Sequence, residues 1–251
     1  MKKRLLAIDI GNTNITLGLF RGAKLVKKTK VQTARPDQYS RRIRAFLSGG
    51  HYDAIISSVV PKALVPVKRC LVKMGAHRIS VLGENIKVPI KNLYAKPKQV
   101  GQDRLVNAYA ARELYGEPVV VIDFGTAVTF DCVSKKGEYL GGLIMPGIEL
   151  SIQSLYEKTA LLPKITLRPT KNLIGRSTEE SMRAGILFGL GAACDGLITK
   201  YSKILGRPLL VIATGGSSAL IKRYARSIQI TDEDITLKGL MLMGIIFYDK
   251  T

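Results

Sequence analysis

Apolar positions along the chain come in short runs with two periods. Lys3 to Ile10, apolar from Leu5 onward except at Asp9, reads as a buried strand. Gly11-Asn12-Thr13-Asn14 is a turn built from turn-favouring residues, and Ile15 to Phe20 continues with alternating apolar side chains, so the three segments predict a β-hairpin. Tyr39 to Leu47 has helical apolar spacing, Tyr52 to Val60 reads as a buried strand ending at Pro61, and Leu105 to Tyr115 is an Ala- and Leu-rich helix stopped by Gly116-Glu117-Pro118. Then come an apolar strand from Pro118 to Ile122, the turn Asp123-Phe124-Gly125-Thr126-Ala127, and a strand from Val128 to Val133. Thr178 opens a long helix running in segments to Leu205, with Glu179 and Glu180 in its first turn where carboxylates favour the helix dipole. Leu209 to Ala213 reads as a strand halted by Thr214-Gly215-Gly216, Ser218 to Tyr224 as helix, and Leu237 to Phe247 as a closing apolar helix. Strands alternating with helices predict an α/β protein.

The hairpin occurs twice. Aligning Asp9 with Asp123 gives an offset of 123 − 9 = 114 residues and pairs Gly11 with Gly125, each followed by a Thr within two positions. Repetition at domain-sized spacing indicates duplication, and the expected domains are 1–116 and 117–251, divided at the Gly-Glu-Pro break.

Composition narrows the class. The 251 residues are 46% hydrophobic and 23% charged, as in an ordinary folded protein. The basic start Met1-Lys2-Lys3-Arg4 leads into an apolar run that contains Asp9 and has no small-residue cleavage site, so no export signal is read. The stretch Ala184 to Cys194 contains three glycines and stops at Asp195, short of the roughly 20 residues a membrane span needs, so a soluble protein is expected. Cys70, Cys132 and Cys194 lie far apart and make no disulfide framework, which fits a reducing cytoplasm; His51 and His77 have no metal-site spacing. The net charge of +20 suits anionic small substrates and nucleic acid alike. Its lysines and arginines are dispersed without interleaved aromatics, which favours a solvated surface over a nucleic-acid platform.

A Walker-type Gly-Lys-Ser/Thr loop is absent, and Gly189-Leu190-Gly191 lacks the third glycine and preceding strand of a dinucleotide fingerprint. The two acidic turns offer other phosphate chemistry. Glycine lets backbone N–H groups approach oxygen closely, Thr and Asn donate, and an Asp at a strand end can hold a charge-neutralising cation. Either turn alone is ordinary turn chemistry; the repetition favours phosphate binding. Thr214-Gly215-Gly216 has the flat, side-chain-free surface an adenosine can pass, and alone is a strand-to-helix turn. For Gly101-Gln102-Asp103-Arg104, two readings stand side by side. Asp103 either caps the following helix, or takes a proton from a substrate hydroxyl while Arg104 binds an anionic group.

Taken in order, Asp9-Ile10-Gly11-Asn12-Thr13-Asn14, Ser57-Ser58-Val59-Val60-Pro61, Gly101 to Arg104 with Asn107-Ala108, Asp123 to Ala127, Gly141-Gly142-Leu143-Ile144-Met145-Pro146-Gly147 and Thr214-Gly215-Gly216 resemble the motifs of type III pantothenate kinases. That family belongs to the actin-like, ribonuclease H-like ATPases of the acetate and sugar kinase superfamily. The resemblance implies two duplicated domains with mixed sheets flanked by helices, and transfer of the ATP γ-phosphate to pantothenate. It implies that Asp9 to Thr16, including Ile10, Asn14 and Ile15, form the first phosphate loop, with Asp9 near Mg²⁺-ATP and Asn12 and Thr13 on phosphate. Thr126 is then a phosphate contact of the second loop, and Thr214, Gly215 and Gly216 face the adenosine. Asp123 becomes the ligand of a monovalent cation, K⁺ or NH₄⁺, and Asp103 the general base. Tyr94, Gly101, Gln102, Asp103, Arg104 and Thr178 line the pantothenate pocket, which a homodimer completes across its interface, with Thr178 serving the neighbouring chain. Two alternatives remain at this point: another phosphotransferase or phosphatase on the same fold, and a DNA-binding regulator.

Overall fold

The computed structural model describes residues 4–47 and 49–248. Lys3, the expected head of the first strand, lies outside the described residues with Met1 and Lys2. The chain divides into two compact units, one of Met1–Glu113 with Asp234–Thr251, the other of Leu114–Glu233.

The first unit contains β1 (Arg4–Ile10), β2 (Asn14–Arg21), β3 (Lys24–Gln32), α1 (Tyr39–Leu47), β4 (Asp53–Ser58), α2 (Pro61–Lys73), β5 (Arg78–Val81) and α3 (Gln102–Tyr115). Its sheet runs β3-β2-β1-β4-β5, antiparallel on the hairpin side and parallel beyond β1. Alternation decides which residue faces what. Leu6, Ile8 and Ile10 of β1, with Ala54 and Ile56 of β4, are buried in one core with Ile43 and Phe46 of α1 and Val67 and Leu71 of α2. Burying each such aliphatic side chain is worth about 1.5–3 kcal/mol. A one-residue slip of β1 would expel all three and drive Asp9 into the apolar layer. The core therefore fixes Asp9 on the opposite face.

The second unit repeats the topology. It contains β6 (Val119–Phe124), β7 (Ala127–Val133), β8 (Tyr139–Pro146), α4 (Ile148–Lys158), α5 (Thr178–Leu205), β9 (Leu210–Thr214), α6 (Ser218–Ile221) and β10 (Ile230–Thr231). The sheet order is β10-β9-β6-β7-β8, with β6 antiparallel to β7 and parallel to β9, so β6 to β10 stand where β1 to β5 stand. Val120, Ile122 and Phe124 pack with Met182, Leu187 and Cys194 of α5, which leaves Asp123 on the other face.

The last helix corrects the expected division. The Gly-Glu-Pro break puts all of 117–251 in one domain, but α7 (Ile235–Tyr248) groups with the first unit. It carries one charged residue, Lys238, and is apolar all round, as befits a helix buried on several sides. Glycines let it approach closely: a carbon added at Gly239 would lie 2.7 Å from Val106 Cγ1 of α3, and one at Gly244 would strike Leu5 of β1. Leu5 and Asp9 share a face of β1, so α7 covers the Asp9 side of the sheet.

Other differences are local. α5 is one continuous helix of 28 residues, and α6 ends at Ile221 instead of reaching Tyr224. β4 ends at Ser58, and Pro61 opens α2, where its missing N–H costs nothing. By length and composition α5 would pass for a membrane span. Met182, Ala184, Leu187, Cys194 and Ile198 bury one side of it in the second unit.

Charge is unevenly divided. The first unit carries 25 Lys and Arg against 8 Asp and Glu, a net 25 − 8 = +17; the second carries 14 against 11, a net +3. β3, α1 and α2 contain no acidic residue at all.

Candidate active site

Each unit holds one cluster of the expected residues, at the C-terminal ends of its parallel strands, where open α/β sheets place their ligands.

In the first unit the β1–β2 register closes at Ile10 opposite Ile15, leaving Gly11 to Asn14 as the turn. Gly11 N–H donates to Asn14 O at 3.0 Å, Thr33 N–H to Thr13 O at 3.0 Å, and Thr33 Oγ1 to Gly11 O at 2.7 Å, so the loop is braced from the residue after β3. Asn12 and Thr13 are exposed at its tip, while Asp9, Asn14 and Thr16 are half-buried. On the neighbouring strand Ser57 pairs with Asp9, and Val59 N–H donates to Ile10 O at 3.1 Å. Val59 also touches the next motif, its Cγ1 lying 3.6 Å from where a β-carbon on Gly101 would be. Ile10, Val59 and Gly101 thus link the first loop to the Asp103 turn.

α3 begins at Gln102, three residues earlier than the apolar spacing predicts, so Asp103 stands inside its first turn. Asp103 Oδ1 accepts the N–H of Arg104 at 2.8 Å, which satisfies one of the unpaired donors of that turn. The same oxygen lies against Gly101, and any side chain there would collide with it. Burial pushes the Asp103 carboxyl above the ordinary carboxylate value, and the Arg104 N–H and charge pull it back only in part. Arg104 is buried, as is Asn107 one turn further on, whose Oδ1 accepts from Thr236 Oγ1 at 2.6 Å. Gln102 lies over Gly83, with Cδ 3.4 Å from the β-carbon position.

In the second unit the hairpin closes at Phe124 opposite Val128, and Gly125 N–H donates to Ala127 O at 3.2 Å. Gly125 and Thr126 are exposed or nearly so at the turn. Thr214 pairs with Asp123 and is buried, and a carbon added at Gly215 would sit 2.6 Å from Asp123 Oδ1. Asp123 and the Thr-Gly-Gly turn are therefore one cluster. Gly147 closes it from below: its N–H donates to Thr126 O at 3.1 Å, and a side chain there would strike the carbonyls of Gly125 and Thr126. That is the packing role of the last glycine in the Gly141–Gly147 segment, for which sequence alone offered no function.

Tyr94 and Thr178 belong to neither set of contacts. Tyr94 is half-buried on the coil before α3, its N–H on Asn92 Oδ1 at 3.0 Å, and Thr178 is exposed in the first turn of α5, after the Ser177 cap. Sequence reasoning gave Ser57 no role and missed Thr33, because a hydroxyl-bearing residue carries no signal until the strand register is known. Among the described residues no group of three or more His, Cys, Asp or Glu forms a metal cage. Isolated carboxylates at strand ends fit a Mg²⁺ that keeps waters and phosphate oxygens as ligands, which is the usual coordination of that ion.

Comparison with known proteins agrees with these motifs. A family model described as type III pantothenate kinase matches residues 5–200. The type III pantothenate kinase of Myxococcus xanthus is 39% identical over 252 residues, covering 95% of this chain and 97% of that protein. Among solved structures, a protein described as a conserved putative Baf family transcriptional activator, from Campylobacter jejuni, superposes with a TM-score of 0.65 at 21% identity, covering 98% of this chain and 100% of that one. MreB 5 of Spiroplasma citri bound to AMPPNP superposes with a TM-score of 0.55 at 10% identity, covering 100% of this chain and 98% of that one. At such identities both structures speak to the fold, the duplicated actin-like ATPase architecture.

Proposed function

Because the chain belongs to the type III pantothenate kinase family, which transfers the γ-phosphate of ATP to the primary hydroxyl of pantothenate in the first step of coenzyme A synthesis, we propose that Asp103 is the base of that transfer. The observation that carries the assignment is its placement. A carboxyl with a raised pKa is held over Gly101 at the start of α3, linked through Val59 to the first phosphate loop. As the hydroxyl oxygen attacks phosphorus, its proton passes to Asp103, and the bond from the γ-phosphorus to the bridging oxygen breaks with ADP as leaving group. Catalysis of this kind rests on positioning and neutralisation of charge, and a base with a pKa lifted toward the working pH is better matched to its task.

The remaining roles accord with the motifs. Asp9 stands beside the metal–nucleotide, Asn12, Thr13 and Thr126 donate to phosphate, and Thr214 to Gly216 face the adenosine. Bound with ATP, Mg²⁺ neutralises phosphate oxygens. Asp123, a carboxylate at the end of β6 beside Thr214, suits a hard monovalent cation, K⁺ or NH₄⁺. Gly101 to Arg104 and Tyr94 take pantothenate, with Arg104 for its carboxylate. The enzyme acts as a homodimer in the cytoplasm, and Thr178 completes the partner's pocket. Support for the dimer comes from the apolar surface of the second unit, where Ile144 is 64%, Leu161 90% and Ile174 81% exposed.

The test is ATP-dependent phosphorylation of pantothenate with Mg²⁺, in potassium and in sodium. Product formation stimulated by potassium and reduced roughly 10²- to 10⁴-fold in Asp103→Asn, with nucleotide affinity retained, is the expected result. Turnover of Asp103→Asn near that of the wild type would remove Asp103 from the role of base.

A further inference from the structure

In the segment Ser57-Ser58-Val59-Val60-Pro61 the first residue carries no assigned role, and it has an unusual environment. Ser57 is wholly buried, and its Oγ has no hydrogen-bond partner among the described residues. Buried hydroxyls are normally partnered, because an unmade hydrogen bond retains the full cost of desolvation. An orphan of this kind calls for an explanation.

Register supplies one. In the parallel pairing of β1 with β4, Ser57 is the partner of Asp9. Parallel neighbours lie about 4.8 Å apart and point to the same face of the sheet, so the hydroxyl stands beside the carboxylate that closes β1. Ile56, one residue earlier, is in the core with α1 and α2, which places Ser57 on the opposite face, with Asp9. The second unit gives an independent observation. There Asp123 is paired in the same parallel register with Thr214, another buried hydroxyl residue. Both halves of the duplication set a hydroxyl against the loop Asp, although the residues around them differ.

We propose that Ser57 is a positioning residue for the first phosphate loop: its hydroxyl turns to donate to the Asp9 carboxylate when Mg²⁺-nucleotide is bound, holding that carboxylate in the orientation the metal–phosphate complex requires. The inference rests on the reading of Asp9 as the carboxylate beside the metal–nucleotide. Ser58 is not a substitute, since it pairs with Ile10, one residue on, and so stands on the opposite face of the sheet from Asp9. Until nucleotide arrives the orphaned hydroxyl costs stability, and on binding it is satisfied.

That predicts opposite signs for stability and binding in one variant. Ser57→Ala removes an unpartnered polar atom from a buried site, so the ligand-free protein should melt at the same temperature or higher. Its affinity for Mg²⁺-ADP should fall about tenfold, the worth of one hydrogen bond to a charged group, while metal-free ADP binds as to the wild type. KM for Mg²⁺-ATP should rise with KM for pantothenate unchanged, and Ser57→Thr, which keeps the hydroxyl, should restore Mg²⁺-ADP affinity. In an Asp9→Asn background the further change Ser57→Ala should add nothing. The proposal is overturned by Mg²⁺-ADP affinity equal to wild type in Ser57→Ala, by a lowered ligand-free melting temperature, or by additive losses in the double variant. A wild-type protein that failed to phosphorylate pantothenate, yet showed the Ser57-dependent Mg²⁺-ADP affinity, would sink the acceptor assignment and leave this inference standing.

Discussion

Replacing Gly215 with alanine tests whether Asp123 and the Thr-Gly-Gly turn work as one cluster. Gly215 has φ +86°, in the left-handed region that costs a side chain-bearing residue about 1–3 kcal/mol. Its added carbon would lie 2.6 Å from Asp123 Oδ1 and from Phe124 O, and ordinary contact begins at 3.4 Å, so something must move by 0.8 Å. The carbonyl belongs to β6 and is held in the sheet; the carboxylate is the part that can yield. Strain and displacement together amount to about 2–4 kcal/mol, or roughly 6–15 °C of melting temperature for a unit of this size. With Asp123 in its proposed role as a cation ligand, moving that carboxylate by nearly 1 Å should also cost about 10²-fold in kcat/KM. Gly216 is the control. Nothing lies within 4 Å of its β-carbon position, so Gly216→Ala should stay within about 0.5 kcal/mol of the wild type. Melting of the ligand-free variants by circular dichroism, combined with potassium titration of the activity, reads both effects. If Gly215→Ala melts within about 2 °C of the wild type and keeps its potassium response, the close packing of Asp123 on Gly215 is not what holds the cluster.

Asp103 should be a burden on the fold. Its carboxyl pKa is raised in the native state, so the folded protein holds that proton more tightly than the unfolded chain. Stability then falls as pH rises through the raised value, and Asp103→Asn should melt higher than the wild type at pH 7, a gain that vanishes on acidification below the ordinary carboxylate pKa. No gain at pH 7 would refute the burial argument. Asp53 should behave in the opposite way. Burial raises it, but hydrogen bonds from Arg78, at 3.1 and 3.0 Å, and from His77 outweigh that and hold its carboxyl below the ordinary value. Its stabilisation is therefore present at neutral pH and lost as pH falls through the depressed value; Asp53→Ala should cost about 2–3 kcal/mol in a denaturant titration at pH 7, and a cost under about 0.5 would show the pair to be idle. With +17 on the first unit, self-repulsion should be relieved by salt, so the ligand-free protein should melt several degrees higher at about 200 mM sodium chloride than at about 20 mM; a flat response would mean the charges are too far apart to matter.

What the sequence could reveal depended on how local its cause was. The hairpins at Asp9 and Asp123 were legible because turn residues and alternating strands are set by near neighbours, and α1 was read with its observed bounds, Tyr39 to Leu47, from one apolar stripe. α2 was not, because Pro61 read as the end of a strand, whereas it stands at the first helical position, and packing carries the helix past a second proline, Pro66. β3 was hidden by its lysines: as an edge strand it buries only Val31, so almost no apolar alternation remains to be seen. Both the total charge and its concentration were present in the sequence: residues 1–116 alone carry 23 Lys and Arg against 6 Asp and Glu, a net 23 − 6 = +17, and the returning segment 234–251, with two of each sign, leaves that sum unchanged. Asp9, Asp103 and Asp123 were each found by motif. Ser57 and Thr214 stood in quoted motifs too, but their pairing with the two loop carboxylates was not legible, because the repeat is offset by 114 residues at the hairpins but by 214 − 57 = 157 at Ser57 and Thr214, the connections between strands having diverged in length.

The duplication also explains why two similar loops need not share a task. Strand register makes Asp9 and Asp123 equivalent, yet the first hairpin closes around four residues, Gly11 to Asn14, and the second around three, Gly125 to Ala127. The extra residue puts Asn12 and Thr13 together at the first tip, two side chains able to donate to phosphate. The shorter turn presents Gly125 and Thr126 and draws Asp123 against Gly215. In the first unit the strand after the hairpin leads through Val59 to Gly101 and a helix that begins with the raised carboxyl of Asp103; in the second it ends in a glycine turn that has no acid to offer. Constant backbone register therefore places a carboxylate and a neighbouring hydroxyl in both units. On the roles proposed above, the length of the turn and the segment that leaves the parallel strand are what give the base to one unit and the cation and the flat face of adenosine to the other.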